Sequence, residues 1–190
     1  MTVSDKLILV RHGAPLIDIE QPAATWPLSE EGRAASARLA ERLKPHAPNL
    51  IVSSAEPKAS QTAYLLAVAC DADFQTAEGL EEHHRLKTGY LDQGTFENKV
   101  VELFRNPDKR VFGEETANQA ADRFSKALKS IQRLNPKRRL AIVSHGTVIS
   151  LWLERNAGAD GLVTWKMLGM PSFVVYDAKQ KKVVELAEKA

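Results

Sequence analysis

Apolar residues along this chain fall into two kinds of run. Lys6–Val10 (KLILV), Asn49–Ser53 (NLIVS) and Arg139–Ser144 (RLAIVS) are short and continuously apolar, the pattern of strands covered on both faces. Ser172–Asp177 (SFVVYD) and Lys182–Leu186 (KVVEL) flank a turn-like AKQK and predict a hairpin at a sheet edge. Another strand is read in DADFQTA, residues 71–77. Between the strands the spacing lengthens to that of helices. Ala35, Leu39 and Leu43 share one face behind Ser29, a capping residue, with Glu30 and Glu31 at the positive end of the helix dipole and Pro45 beyond the last turn. The longest helix is predicted from about Glu114 to Leu134, on Ala117, Ala121, Phe124, Leu128 and Ile131, and Asn135-Pro136 closes it. TVISLWLE, residues 147–154, follows the RLAIVS strand as a helix. Strands alternating with helices predict an α/β layered fold on a mostly parallel sheet.

In such a sheet, ligands gather at the carboxyl ends of the strands. Those ends are where this sequence turns polar. The first strand runs into Arg11-His12-Gly13, and RLAIVS ends in Ser144-His145-Gly146. NLIVSS leads into SSAEPKASQTA, with Lys58 and Gln61 opening the next helix. EGLEEHHRL, residues 78–86, carries Glu81, Glu82, His83, His84 and Arg85 after the DADFQTA strand.

These groups suit phosphoryl transfer through a histidine. A neutral imidazole is a competent nucleophile near pH 7, because the free side chain titrates at about 6.5. Its second nitrogen needs an acceptor, which a backbone carbonyl near Gly13 supplies. Catalysis of phosphoryl transfer lies mostly in cationic donors around the phosphorus oxygens. Arg11 offers a planar fork, His145 a second imidazole, and the amides from Gly146 onward a helix N-terminus for an anion.

Bulk properties narrow the rest. The 190 residues allow one well-buried domain spanning 1–190. With 26 basic and 24 acidic side chains the charges nearly cancel, so no nucleic-acid partner is expected, while a small phosphorylated substrate needs only local positive charge. MTVSDKLILV does not read as a leader, no run is long enough to span a membrane, and the single cysteine, Cys70, fits a reducing cytoplasm. Cys70 lies in an apolar run of helical character and reads as a buried, inert thiol.

Arg11-His12-Gly13, PLSEEGRAAS (27–36), SSAEPKASQTA (53–63) and VSHGTVI (143–149) together resemble the histidine phosphatase superfamily, over a stretch from Lys6 to about Tyr176. The resemblance implies the phosphoglycerate mutase-like fold: a three-layer sandwich with helices on both faces of a mostly parallel sheet and an antiparallel edge strand. It implies a phosphatase acting on phosphomonoesters or phosphohistidine, with His12 as the phosphorylated nucleophile, Arg11 as its phosphate clamp and His145 as the second catalytic histidine. The family's Leu-x-Glu pattern falls on Leu80-Glu81-Glu82 and points to Glu82 as the proton donor, with Glu81 the neighbouring alternative. Gly13, Lys58, Gly146 and Thr147 are the further candidate phosphate-binding residues, Lys58 at the family's second-arginine position. No metal and no organic cofactor are implied. The substrate is expected to be small, a sugar or nucleotide-like phosphate, or else a phosphoprotein.

Three departures stand out. The family's second arginine is here Lys58, a compact charge rather than a fork, so an arginine at 58 is expected to raise turnover. Ala55 replaces a proline, and APLIDIEQP lacks the asparagine or serine that follows the first motif. Lys58 is also the best support for an alternative, a weakly active phosphate-binding module. Mutase-type phosphotransfer is the other alternative; a short stretch from Glu82 to Gly113 and little chain after the last hairpin favour hydrolysis. His83-His84 reads as a solvated loop rather than a metal pair, since adjacent side chains diverge, with substrate contact by His84 or Arg85 the next reading. Trp26 and Trp152 read as packing residues, Trp26 near enough to PLSE to border the site mouth. His46, past a helix end, reads as exposed.

Overall fold

The computed structural model describes residues 5–187; residues 1–4, the head of the stretch read above for a leader, and 188–190 lie outside the described residues. Each segment read as a strand became one: β1 (Lys6–Arg11), β2 (Leu50–Ser53), β3 (Asp73–Thr76), β4 (Leu140–Ser144), β5 (Ser172–Asp177) and β6 (Lys182–Ala187). They form one sheet in the order β3-β2-β4-β1-β5-β6. β3, β2, β4 and β1 run parallel, β5 runs against β1, and β6 returns along β5 as the expected hairpin. The predicted fold class is therefore the observed one.

Alternation along the strands splits the core in two, because successive side chains point to opposite faces. Leu7, Leu9, Val52, Ile142 and Val174 face the helices α3 (Gln93–Arg105), α4 (Ala117–Leu134), α5 (Gly146–Ala157) and α6 (Gly161–Met167). Ile8, Val10, Ile51, Val143 and Phe173 face α1 (Glu30–Leu43) and α2 (Pro57–Cys70). Ser29 caps α1 as expected, accepting the Gly32 amide at 3.0 Å. No helix of the described residues is long and apolar enough to cross a membrane.

Three expectations change. The long helix starts at Ala117, not Glu114, because Thr116 and Gln119 form a reciprocal cap of 3.1 and 2.9 Å. That releases Glu114, whose carboxylate accepts the amides of Leu86 and Lys87 across a loop. Cys70 is only partly buried, as is His46, whose ring packs edge-on against Phe173. Two helices, α3 and α6, were not expected at all. α3 buries only Val100 and Leu103, too thin an apolar face to announce a helix in the sequence.

Candidate active site

Hydrogen-bond register brings the two distant histidines together. Arg11 of β1 pairs with Ser144 of β4, so His12 and His145 leave the sheet side by side at the carboxyl ends of adjacent parallel strands. Their ring centroids lie 4.9 Å apart with the planes at 67°. His12 is nearly buried and His145 wholly so. Burial, each other's proximity and the Lys58 charge hold the His12 imidazole well below its ordinary pKa; burial and Lys58 do the same to His145. Both rings are thus neutral bases at pH 7.

The acceptor foreseen for His12 is present: its Nδ1 lies 2.7 Å from the Gly13 carbonyl. The Nδ1–H donates there, which leaves Nε2 as the free lone pair. Gly13 is needed because a neighbouring element approaches its backbone closely. Its amide donates to Thr62 Oγ1 at 3.0 Å, and a methyl group on it would sit 2.7 Å from both the Gly32 carbonyl and Ser36 Oγ. The close approach is that of helix α1.

Arg11 is half-buried, donates to the Leu168 carbonyl, and lies 6.0 Å from the centre of the Trp165 ring. Its Nε has no partner among the described residues. Gly146 opens α5 at that spot because a methyl group would lie 2.9 Å from this Nε. The N-terminus of α5 meets an anion of the protein's own: the Thr147 amide donates to Glu82 Oε2 at 3.2 Å. Glu82 Oε1 also accepts its neighbour's amide, from His83, at 2.9 Å. Burial opposes the Glu82 charge, but His145 and these two amides outweigh it and hold the carboxyl below its usual range. Glu81 is engaged elsewhere, accepting the Gly79 amide at 2.8 Å and pairing with Arg123 at 3.3 Å. Arg123 also donates to the carbonyls of Gly79, Glu81 and Glu82, so a residue of α4 fixes the whole acidic loop.

Lys58 lies at the start of α2, as expected, and is buried. Its ammonium is paired with Glu56 and donates to the Ala23 carbonyl at 2.8 Å. Glu56 is the site residue that sequence reasoning missed. Its second oxygen accepts the Glu82 amide at 2.9 Å and lies 3.5 Å from His145 Nε2. An acidic residue two positions before the lysine of SSAEPKASQTA was the signal.

His83 corrects the solvated-loop reading. It is buried, its Nε2 lies 2.8 Å from the Glu115 carbonyl, and its ring packs on Phe112 at 5.0 Å. His84 stays partly exposed beside Glu115. Trp26 does border the mouth, and Trp165, which carried no sequence signal, lines the same cavity. That cavity, of about 550 Å³, holds Arg11, His12, Lys58, Glu82 and His145 on its wall. No cluster of potential metal ligands occurs among the described residues.

Comparison with known proteins gives the family and the fold. The family model of the histidine phosphatase superfamily (branch 1) matches residues 7–187. A probable phosphoglycerate mutase, GpmB, from Proteus mirabilis is 30% identical over 164 residues, which cover 80% of this chain and 75% of that one. Among solved structures, a mycobacterial glucosyl-3-phosphoglycerate phosphatase superposes with a TM-score of 0.74 at 20% identity, covering 97% of this chain and 98% of that one. A phosphoserine phosphatase from Entamoeba histolytica gives 0.74 at 19% identity over 98% and 97% of the two chains, a likeness of fold.

Proposed function

Because the chain belongs to the histidine phosphatase superfamily (branch 1), we propose that it is a phosphomonoester hydrolase that works through a phosphohistidine on His12. The observation that carries this reading is the pair of neutral imidazoles 4.9 Å apart in one cavity with Arg11 and Lys58. In the first step His12 Nε2 attacks phosphorus, an N–P bond forms, and the bond to the leaving oxygen breaks. Arg11, Lys58 and His145 surround the phosphoryl oxygens, where positioned donors do most of the catalysis. The leaving oxygen takes a proton from Glu82. The free carboxyl is held ionised, and a phosphate dianion brought alongside raises its proton affinity. In the second step water gives a proton back to Glu82 and attacks phosphorus, and His12 leaves with its lone pair. This route asks for no metal ion.

The test is phosphate release from 4-nitrophenyl phosphate with chelator present. Wild type is expected to turn over at an undiminished rate, His12→Ala to lose at least a thousandfold, and acid-quenched wild type to carry an acid-labile phosphoryl group. Equal rates in wild type and His12→Ala would remove the proposal. The name of the Proteus mirabilis relative favours a second reading, isomerisation of phosphoglycerates. Incubation with 3-phosphoglycerate separates the two: a mutase yields 2-phosphoglycerate, a hydrolase free phosphate.

A further inference from the structure

The cavity is much larger than a phosphoryl group requires. Its volume of about 550 Å³ lies within the range of clefts that enclose a whole organic ligand, roughly 300–1,000 Å³. The groups that suit phosphate lie together around the two histidines. The remaining wall is built from Trp26, Tyr90, Leu91, Phe96 and Trp165, with Arg85 among them. Trp26 and Tyr90 adjoin at 6.5 Å, and Phe96 meets Trp165 edge-on at 6.0 Å. The Arg85 guanidinium lies over the Phe96 ring, 4.6 Å from its centre. Tyr90 remains 46% exposed. A half-exposed aromatic ring beside a phosphate seat has apolar area to bury on a ligand.

Charge narrows the ligand further. Among the described cationic residues lining the cavity, Arg11 belongs to the phosphate seat, Lys58 is paired with Glu56, and Arg85 faces the charges of Glu82 and Glu56. A second anionic group on the leaving alcohol, such as a carboxylate, would share the wall with the carboxylates of Glu56, Glu81, Glu82 and Glu97. A three-carbon phosphoacid would also leave most of the ring wall wet.

Resting on the hydrolase reading, we propose that the preferred substrate class is a phosphomonoester whose leaving alcohol is uncharged and carries a planar ring, the chemistry of a nucleoside monophosphate. The phosphate sits against His12 and His145, and the ring lies on the Trp26–Tyr90 and Phe96–Trp165 wall. One stacked base contributes about 1–3 kcal/mol in comparable aromatic sites, roughly fivefold to 150-fold in affinity.

Adenosine 5′-monophosphate and ribose 5-phosphate share the same leaving primary alcohol and differ in the base, so their comparison isolates the ring. In His12→Ala, titration calorimetry is expected to give the nucleotide a Kd at least tenfold lower than ribose 5-phosphate. In the turnover-competent protein, kcat/KM is expected to differ in the same direction. Trp26→Ala and, at the more exposed ring, Tyr90→Ala are each expected to cut the affinity ratio at least threefold. Equal Kd values for the two ligands overturn the ring assignment whatever the catalytic result. A retained preference in binding without phosphate release from either ligand or from 4-nitrophenyl phosphate sinks the hydrolase reading and leaves the ring assignment standing.

Discussion

Lys58 stands where the family pattern has an arginine, and its ammonium is committed to Glu56 and to the Ala23 carbonyl. A phosphate entering the seat therefore meets a lysine whose charge is already balanced, with the Glu56 carboxylate beside it. Removing that carboxylate's charge while keeping its shape should strengthen anion binding. Glu56→Gln retains an acceptor for the Glu82 amide, and Ki for inorganic phosphate is expected to fall about tenfold, equivalent to ~1.4 kcal/mol. Competitive inhibition measured against 4-nitrophenyl phosphate checks this; a rise in Ki contradicts it. The same pair revises the expectation that Lys58→Arg alone raises turnover. An arginine there would fork onto Glu56 before it reached phosphate, so kcat/KM is expected to rise only when Glu56→Gln accompanies it. The lysine was plain in the sequence, but the restraint on it was not, because an ion pair two residues apart depends on how the N-terminal turn of α2 folds.

At the level of elements, the site is placed by where strands stop and helices start. Gly13 lets α1 lie against the end of β1, and Gly146 lets α5 begin beside the Arg11 guanidinium. Gly13→Ala puts a methyl group 2.7 Å from the backbone oxygen of Gly32, and overpacking of this kind costs about 1–3 kcal/mol. Urea denaturation should show that loss, together with reduced phosphate affinity as His12 shifts with its Gly13 acceptor; unaltered stability would contradict the packing argument. The central strands were legible as continuous apolar runs because both faces are covered, and α1 and α4 by an apolar period near three and a half. The start of α4 was legible too, since Thr116 and Gln119 stand three apart, yet apolar spacing alone overran it to Glu114. α3 was not legible. A helix that buries only two residues and offers Phe96 to a cavity has a composition set by ligand and solvent rather than by a core. His83 was misread for the related reason that its burial comes from Phe112 and Glu115, residues distant in sequence.

For the molecule as a whole, two buried neutral histidines make stability depend on pH. In the unfolded chain each takes up a proton near about 6.5, whereas in the fold both remain neutral well below that value. The unfolded state then binds more protons as the pH falls, so stability present above about pH 6.5 is lost on acidification, by ~1.4 kcal/mol per pH unit for each histidine. Urea midpoints between about pH 6.5 and 5 should show this slope, reduced by about half in His12→Ala; an identical slope in the variant would contradict the assignment. The division of labour in the chain has a further consequence. The reacting pair is spaced by the rungs between β1 and β4, where a one-residue slip would turn each side chain to the opposite face. Trp26, Arg85 and Tyr90 hang instead from connecting segments that no rung constrains. Such a molecule can exchange one clientele for another by rewriting its loops, while the machinery that breaks the bond stays as it is.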